Sequence, residues 1–218
     1  MNSVARRAFA RPIALASRNA GKLAELRVLS GGRLDLVAMP SDPAPPEVEE
    51  DGATYAANAA KKAEAVAAFT GGAALADDSG LEVDALGGAP GVHSARYGGA
   101  GLDDAGRCRR LLDEIAQSEA RGDRAARRAR FRCVLVLADG GSRLVAEGVL
   151  EGEIVSAPRG GGGFGYDPIF APAELGGRTL AEATAEEKNR ISHRARAMAA
   201  LLAQLDAGDG MPVGAGSR

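Results

Sequence analysis

Tryptophan is absent from the 218 residues, and three tyrosines with five phenylalanines bring aromatic content to only 4%. A core must therefore be built from Leu, Val, Ile and Ala, and each aromatic side chain invites a specific explanation. Only Cys108 and Cys133 occur, with no CxxC pair and no repeated Cys/His spacing, which speaks against a disulfide scaffold or a structural zinc site. Reduced thiols are the simplest reading. The two histidines, His93 and His193, leave a Ser-His-Asp hydrolase open by count, but the lack of a G-x-S-x-G elbow disfavours it. No run of about 18 apolar residues exists, so no membrane partner is expected. The opening MNSVARRAFARP lacks the apolar centre of an export signal. It is acid-free and Arg-bearing, as an organellar leader can be, but it is short and reads as a flexible tail over 1–11, with a cytoplasmic location. A net charge of −2 gives no global reason for a nucleic-acid partner, and the Arg-rich run over 121–132 has no aromatic platform.

What is present alternates. With 45% hydrophobic and 26% charged residues, the chain suits one sizeable globular domain or two closely packed lobes. The segment 12–17 reads as a buried strand and 19–29 as a helix with Leu23 and Leu26 on one face. A second strand covers 34–39, the Pro- and acid-rich 40–52 is irregular, and an Ala-rich helix runs over 54–69. A short strand at 73–76 ends at Asp77-Asp78, and a glycine-punctuated loop follows to Gly101. A helix capped by Asp103 covers 103–118, a solvated Arg-rich loop leads into the strand 131–139, and Gly140-Gly141 turn the chain back into an alternating strand over 142–155. A last helix opens at 184 or 185 and ends near 205, followed by a flexible tail over 207–218. The pattern predicts an α/β fold with a mixed sheet, bent into two lobes over 12–206.

Five segments could carry chemistry. Asp77-Asp78-Ser79-Gly80 ends an apolar strand, where adjacent carboxylates suit a hard cation, although a polar turn explains the same tetrapeptide. Glu49 and Glu50 could add a ligand from the preceding loop. Ser17-Arg18-Asn19-Ala20-Gly21-Lys22 lies at a helix N-terminus, where backbone N–H groups and an ammonium could meet a phosphate; it lacks the GxxxxGK[ST] spacing and reads equally as a plain helix entry. Phe164-Gly165-Tyr166-Asp167 could stack on a base or anchor a tight turn. Lys188, Ser192 and His193 could share a ligand or form a solvated basic face.

Taken together, SRNAGK at 17–22, EED at 49–51, DDSGLEVDALGGAPGVHSARYGG at 77–99, GFGYDPIF at 163–170 and EEKNRISHRARA at 186–197 resemble the inosine triphosphate pyrophosphatase family in five ordered segments. The resemblance implies a two-lobed α/β fold with a long mixed sheet flanked by helices, a cleft between the lobes and a homodimer. It also implies Mg2+-dependent hydrolysis of non-canonical purine nucleoside triphosphates (ITP, dITP, XTP) to monophosphate and pyrophosphate, with water attacking the α-phosphorus. Carried over by position, Ser17 to Lys22 and Lys62 would hold the triphosphate, Glu50 and Asp78 would bind Mg2+, and Asp78 would accept the proton. Ser79 would contact substrate, Phe164, Gly165, Tyr166 and Asp167 would form the base pocket, Lys188 would contact nucleotide, and His193 with Arg194 would donate to the purine 6-oxo group. Adenine offers a 6-amino donor there, so a mismatch costs about 1–3 kcal/mol per unsatisfied group. One departure is Ala57, where relatives carry a larger acidic residue. A Maf-like pyrophosphatase is the alternative enzyme, disfavoured by GFGYDP and SHR, and a silent nucleotide binder is disfavoured by Glu50 and Asp78.

Overall fold

Residues 11–99, 101–123 and 127–208 are described by the structure, a computed structural model. Apart from Arg11, Ala207 and Gly208, the expected tails fall outside those residues. Among the described residues, strands β1 (Ile13–Leu15), β2 (Leu36–Ala38), β3 (Ala74–Val83), β4 (Arg128–Asp139), β5 (Ser142–Ile154) and β6 (Phe170–Pro172) form one sheet in the order β2-β1-β3-β4-β5-β6. Strand β1 is parallel to β2 and β3, and β5 is antiparallel to β6, so the sheet is mixed as the sequence predicts. The main helices are α1 (Ala20–Ser30), α2 (Tyr55–Thr70), α3 (Asp104–Ala120), α4 (Ala185–Ile191) and α5 (His193–Ala207).

Local chemistry sets the helix ends. Asn19, Thr54 and Asp103 each accept a backbone N–H of the first turn at 3.1, 3.1 and 2.7 Å, and each such cap contributes about 1 kcal/mol. Gly31 ends α1 with φ 57°, a left-handed conformation only glycine adopts cheaply. Gly140 and Gly141, at φ 54° and 89°, make the two-residue turn that joins β4 to β5.

Three expectations change. The chain does not turn at Asp77-Asp78-Ser79-Gly80; β3 continues through it, because Leu81 and Val83 bring the apolar pattern back and are fully buried. Strand β4 begins at Arg128, inside the stretch read as an Arg-rich loop, since Arg130 and Arg132 place their guanidiniums on the acids Asp84 and Glu82. The last helix is two helices: Ser192, at ψ 155°, separates α4 from α5.

The chain divides into two compact units. The first comprises Met1–Asp78, Cys133–Gly148 and Arg194–Arg218, the second Ser79–Arg132 and Val149–His193. Strands β3, β4 and β5 each contribute residues to both. The first unit buries Ile13, Leu15, Leu26, Leu75, Leu135 and Leu201, and the second Leu81, Leu111, Ile115, Leu150, Ile169 and Phe170. Both cores are aliphatic-rich, as the aromatic shortage requires. Cys108 and Cys133 are buried and not joined in a disulfide, and no helix among the described residues is long and apolar enough to cross a membrane.

Candidate active site

In the first unit, the parallel register of β1 and β3 pairs Leu15 with Leu75, so the loop leaving β1 starts beside Asp77. Along that loop Ser17 Oγ accepts the Asn19 N–H at 3.2 Å, and Asn19 caps α1. Arg18, Asn19, Ala20 and Gly21 are exposed around this N-terminus, where backbone N–H groups favour an anion. Lys22, one turn on, reaches back to Asp77 Oδ1 at 2.6 Å. A cavity of about 240 Å³ is lined by Ser17, Arg18, Lys22, Glu50, Lys62 and Asp77, among others.

Lys62 of α2 gathers the acids of this unit. Its Nζ lies 3.0 Å from Glu50 Oε1, 3.1 Å from Asp78 Oδ1 and 3.0 Å from the Asp77 carbonyl oxygen. Burial works against the ammonium's charge, but Asp78 and Glu50 outweigh it and hold Lys62 above its ordinary value. For Asp78 the balance goes the other way: burial pushes its carboxyl above the usual aspartate range despite Lys62. Asn58, fully buried, donates to Asp78 Oδ2 at 3.4 Å and accepts the Gly52 N–H at 2.8 Å.

Asp77 does something different from its neighbour. Besides Lys22, it meets Arg194 Nε at 2.7 Å through Oδ2, and Cys133 Sγ stands 3.5 Å from the same oxygen. Arg194 also reaches Glu25 at 3.4 Å. These carboxylates outweigh burial and keep its guanidinium firmly charged.

In the second unit, Phe164 is 41% exposed, with the Lys188 ammonium 4.8 Å from its ring centroid. The loop around it is pinned at several points. Asp167 Oδ2 accepts the Phe164 N–H at 2.9 Å and pairs with Lys188 at 2.7 Å. Asp104 Oδ2 accepts the Gly165 N–H at 2.8 Å, Cys108 Sγ contacts the Gly165 carbonyl at 3.4 Å, and Tyr166 donates to the Ser94 carbonyl at 3.0 Å. Ser79 is half-buried on β3, and His193 is buried at the start of α5. A larger concavity of this unit, about 890 Å³, holds none of these groups; Arg130 and Arg159 in its wall already face Asp84, Glu151 and Glu182.

The model of the Ham1 family matches residues 13–204. The chain belongs to the Ham1 family. A dITP/XTP pyrophosphatase of Streptomyces coelicolor is 51% identical over 195 residues, covering 86% of this chain and 94% of the relative. One from Thioalkalivibrio sulfidiphilus is 48% identical over 196 residues, covering 88% and 97%. Among solved structures, a HAM1 protein from Coxiella burnetii superposes with a TM-score of 0.80 at 42% identity, covering 90% of this chain and 98% of the other. The nucleoside-triphosphatase / dITP/XTP pyrophosphatase of Mycobacterium abscessus gives 0.70 at 48% identity, covering 88% and 99%.

A nucleotide pyrophosphatase of the Ham1 family generally works with a divalent metal, and the first unit's oxygens can be tested for that fit. Glu50, Asp78 and the Asp77 carbonyl already converge on one positive charge, the Lys62 ammonium, with oxygen donors only. Such a set suits a hard cation that takes one or two protein carboxylates and completes its shell with water and phosphate. Among the described residues no group of three or more His, Cys, Asp or Glu gathers around one point.

Two side chains of this cluster make contacts that sequence reasoning did not assign. Asn58 had a signal, a lone amide inside an otherwise Ala-rich helix. Asp77 stood out only as one of an acidic pair; nothing local says that it faces Lys22 and Arg194, which lie 55 and 117 positions away.

Proposed function

We propose that this chain hydrolyses ITP, dITP and XTP to the monophosphate and pyrophosphate, with magnesium as its metal. The observation that carries the proposal is the cluster of Asp78, Glu50 and Lys62, in which a buried, proton-attracting carboxylate sits beside a fixed ammonium. Water attacks the α-phosphorus, the bond from that phosphorus to the bridging oxygen of pyrophosphate breaks, and Asp78 takes the water's proton. Lys22, Lys62 and Lys188, together with the N–H groups of the exposed residues Arg18, Ala20 and Gly21, offset the charge that moves onto the leaving pyrophosphate. Magnesium held by Glu50 and Asp78 would neutralise triphosphate charge and ease deprotonation of water.

Ser79, Phe164, Gly165, Tyr166 and Asp167 serve the nucleoside end, with the Phe164 face offered for stacking. His193 and Arg194 donate to the 6-oxo group. The described fold over 12–206 acts as one two-lobed domain, the active form is a homodimer, and it works in the cytoplasm. Pyrophosphate release from ITP, XTP, GTP and ATP, with and without magnesium, tests this reading, alongside the oligomeric mass by light scattering. Magnesium-dependent turnover restricted to ITP and XTP is expected; no turnover with any of the four would leave a silent binder.

A further inference from the structure

The ring of His193 lies parallel to that of Phe131, with centroids 4.8 Å apart and planes 12° from each other. Phe131 is in turn held edge-on by Phe170, at 4.7 Å and 65°. All three rings belong to the second unit and are buried, Phe131 at 7%, His193 at 3% and Phe170 at 0% exposure. With only five phenylalanines in the chain, two of them grouped with a histidine call for an explanation beyond filling space.

Stacking constrains what the imidazole can do. Its two nitrogens donate and accept in the ring plane, so a face-on neighbour leaves them unobstructed while fixing the direction in which they point. His193 is the first residue of α5, and Ser192 interrupts the helix before it. The χ2 torsion of histidine is broad and roughly two-fold by itself, so a tertiary contact must select its value.

We infer that Phe131 is a positioning residue for base selectivity: its ring orients the His193 imidazole, and Phe170 holds Phe131 in that plane. The inference rests on the reading of His193 as the residue that meets the purine 6-oxo group. Selectivity built on hydrogen bonds such as that of His193 depends on angle as much as on distance, since such bonds weaken steeply when misaligned. A leucine at 131 would keep apolar volume in the core and remove the plane.

The test compares Phe131→Leu, Phe131→Tyr, His193→Ala and the double variant His193→Ala/Phe131→Leu, measuring kcat and KM for ITP and ATP and the Tm of each protein. Phe131→Leu is expected to raise KM for ITP about tenfold, with a smaller change in kcat, and to lower the ITP-over-ATP preference in kcat/KM by about tenfold. Phe131→Tyr, which keeps a ring, retains the preference, and adding Phe131→Leu to His193→Ala lowers it no further. Should Phe131→Leu not fold, Phe131→Met replaces it. If His193→Ala loses the preference while Phe131→Leu keeps it, the positioning role is overturned and the His193 reading stands. If His193→Ala itself keeps the preference, the reading of His193 fails and the inference with it.

Discussion

Asn58 hands one hydrogen bond to Asp78, at 3.4 Å, and takes another from the Gly52 N–H, at 2.8 Å. One fully buried amide thus ties the acidic loop that carries Glu50 to the carboxylate of β3. Lys62 makes the same connection by charge one turn further along α2. Asn58→Ala leaves the Gly52 N–H and an Asp78 oxygen each short of a partner, which costs about 1–3 kcal/mol. For a chain of this size Tm falls by about 2–4 °C per kcal/mol. Thermal unfolding followed with turnover on ITP checks this; an unchanged Tm would show that the tie contributes nothing.

Removing the proposed base separates rate from stability. Asp78→Asn is expected to cut kcat on ITP by about 10²–10⁴ while Tm holds or rises. Burial already lifts the folded pKa of Asp78 above its ordinary 3.8, so its contribution to stability is fully present below the unfolded value and is lost as pH rises through the folded one. Asparagine mimics the protonated form and avoids that loss. Turnover on ITP and thermal unfolding of the metal-free proteins check this; a near-normal rate in Asp78→Asn would remove Asp78 from the role of proton acceptor.

Gly163 stands at φ 72°, and a Cβ there would lie 2.1 Å from Asp167 Oδ2. Gly163→Ala must therefore push away the oxygen that receives both the Phe164 N–H and Lys188. A left-handed alanine adds a further cost of about 1–2 kcal/mol. KM for ITP should rise more than kcat falls, because the displaced group is at the proposed base end. Equal KM values for variant and parent would place Phe164 outside the base pocket.

Thiol chemistry offers a check independent of nucleotide. Burial, with the nearby Asp104 and Asp167 carboxylates, pushes the Cys108 thiol up to about 11, and Cys133 is fully buried. At pH 8 only about one Cys108 in a thousand is then thiolate. A colorimetric thiol reagent should find no fast-reacting cysteine in the folded protein and two after unfolding in guanidinium. Rapid native labelling would mean that the ground beneath the Gly165 carbonyl opens readily.

Much of the local structure was legible because its signals are local. Asn19, Thr54 and Asp103 cap the helices they precede in sequence, and the Gly140-Gly141 turn joins the strands on either side of it. The longer reach of β3 was not legible: Asp77-Asp78-Ser79-Gly80 has the composition of a turn, and only strand pairing and burial of Leu81 and Val83 keep it extended. Ser192 hid the break between α4 and α5 for a similar reason, since a single serine in a basic helical pattern carries no clear stop signal.

The amino-acid sequence by itself determined the α/β class, most element positions and, through five ordered motifs, the family to which the chain belongs. Those properties depend on periodicity, capping and motif identity, all written within short windows. Tertiary structure alone decided which acid serves which cation. Asp77 and Asp78 are neighbours of identical chemistry, yet alternation along a strand sends their side chains to opposite faces. One carboxylate meets Lys22 and the buried guanidinium of Arg194, and the other meets Lys62 beside Glu50.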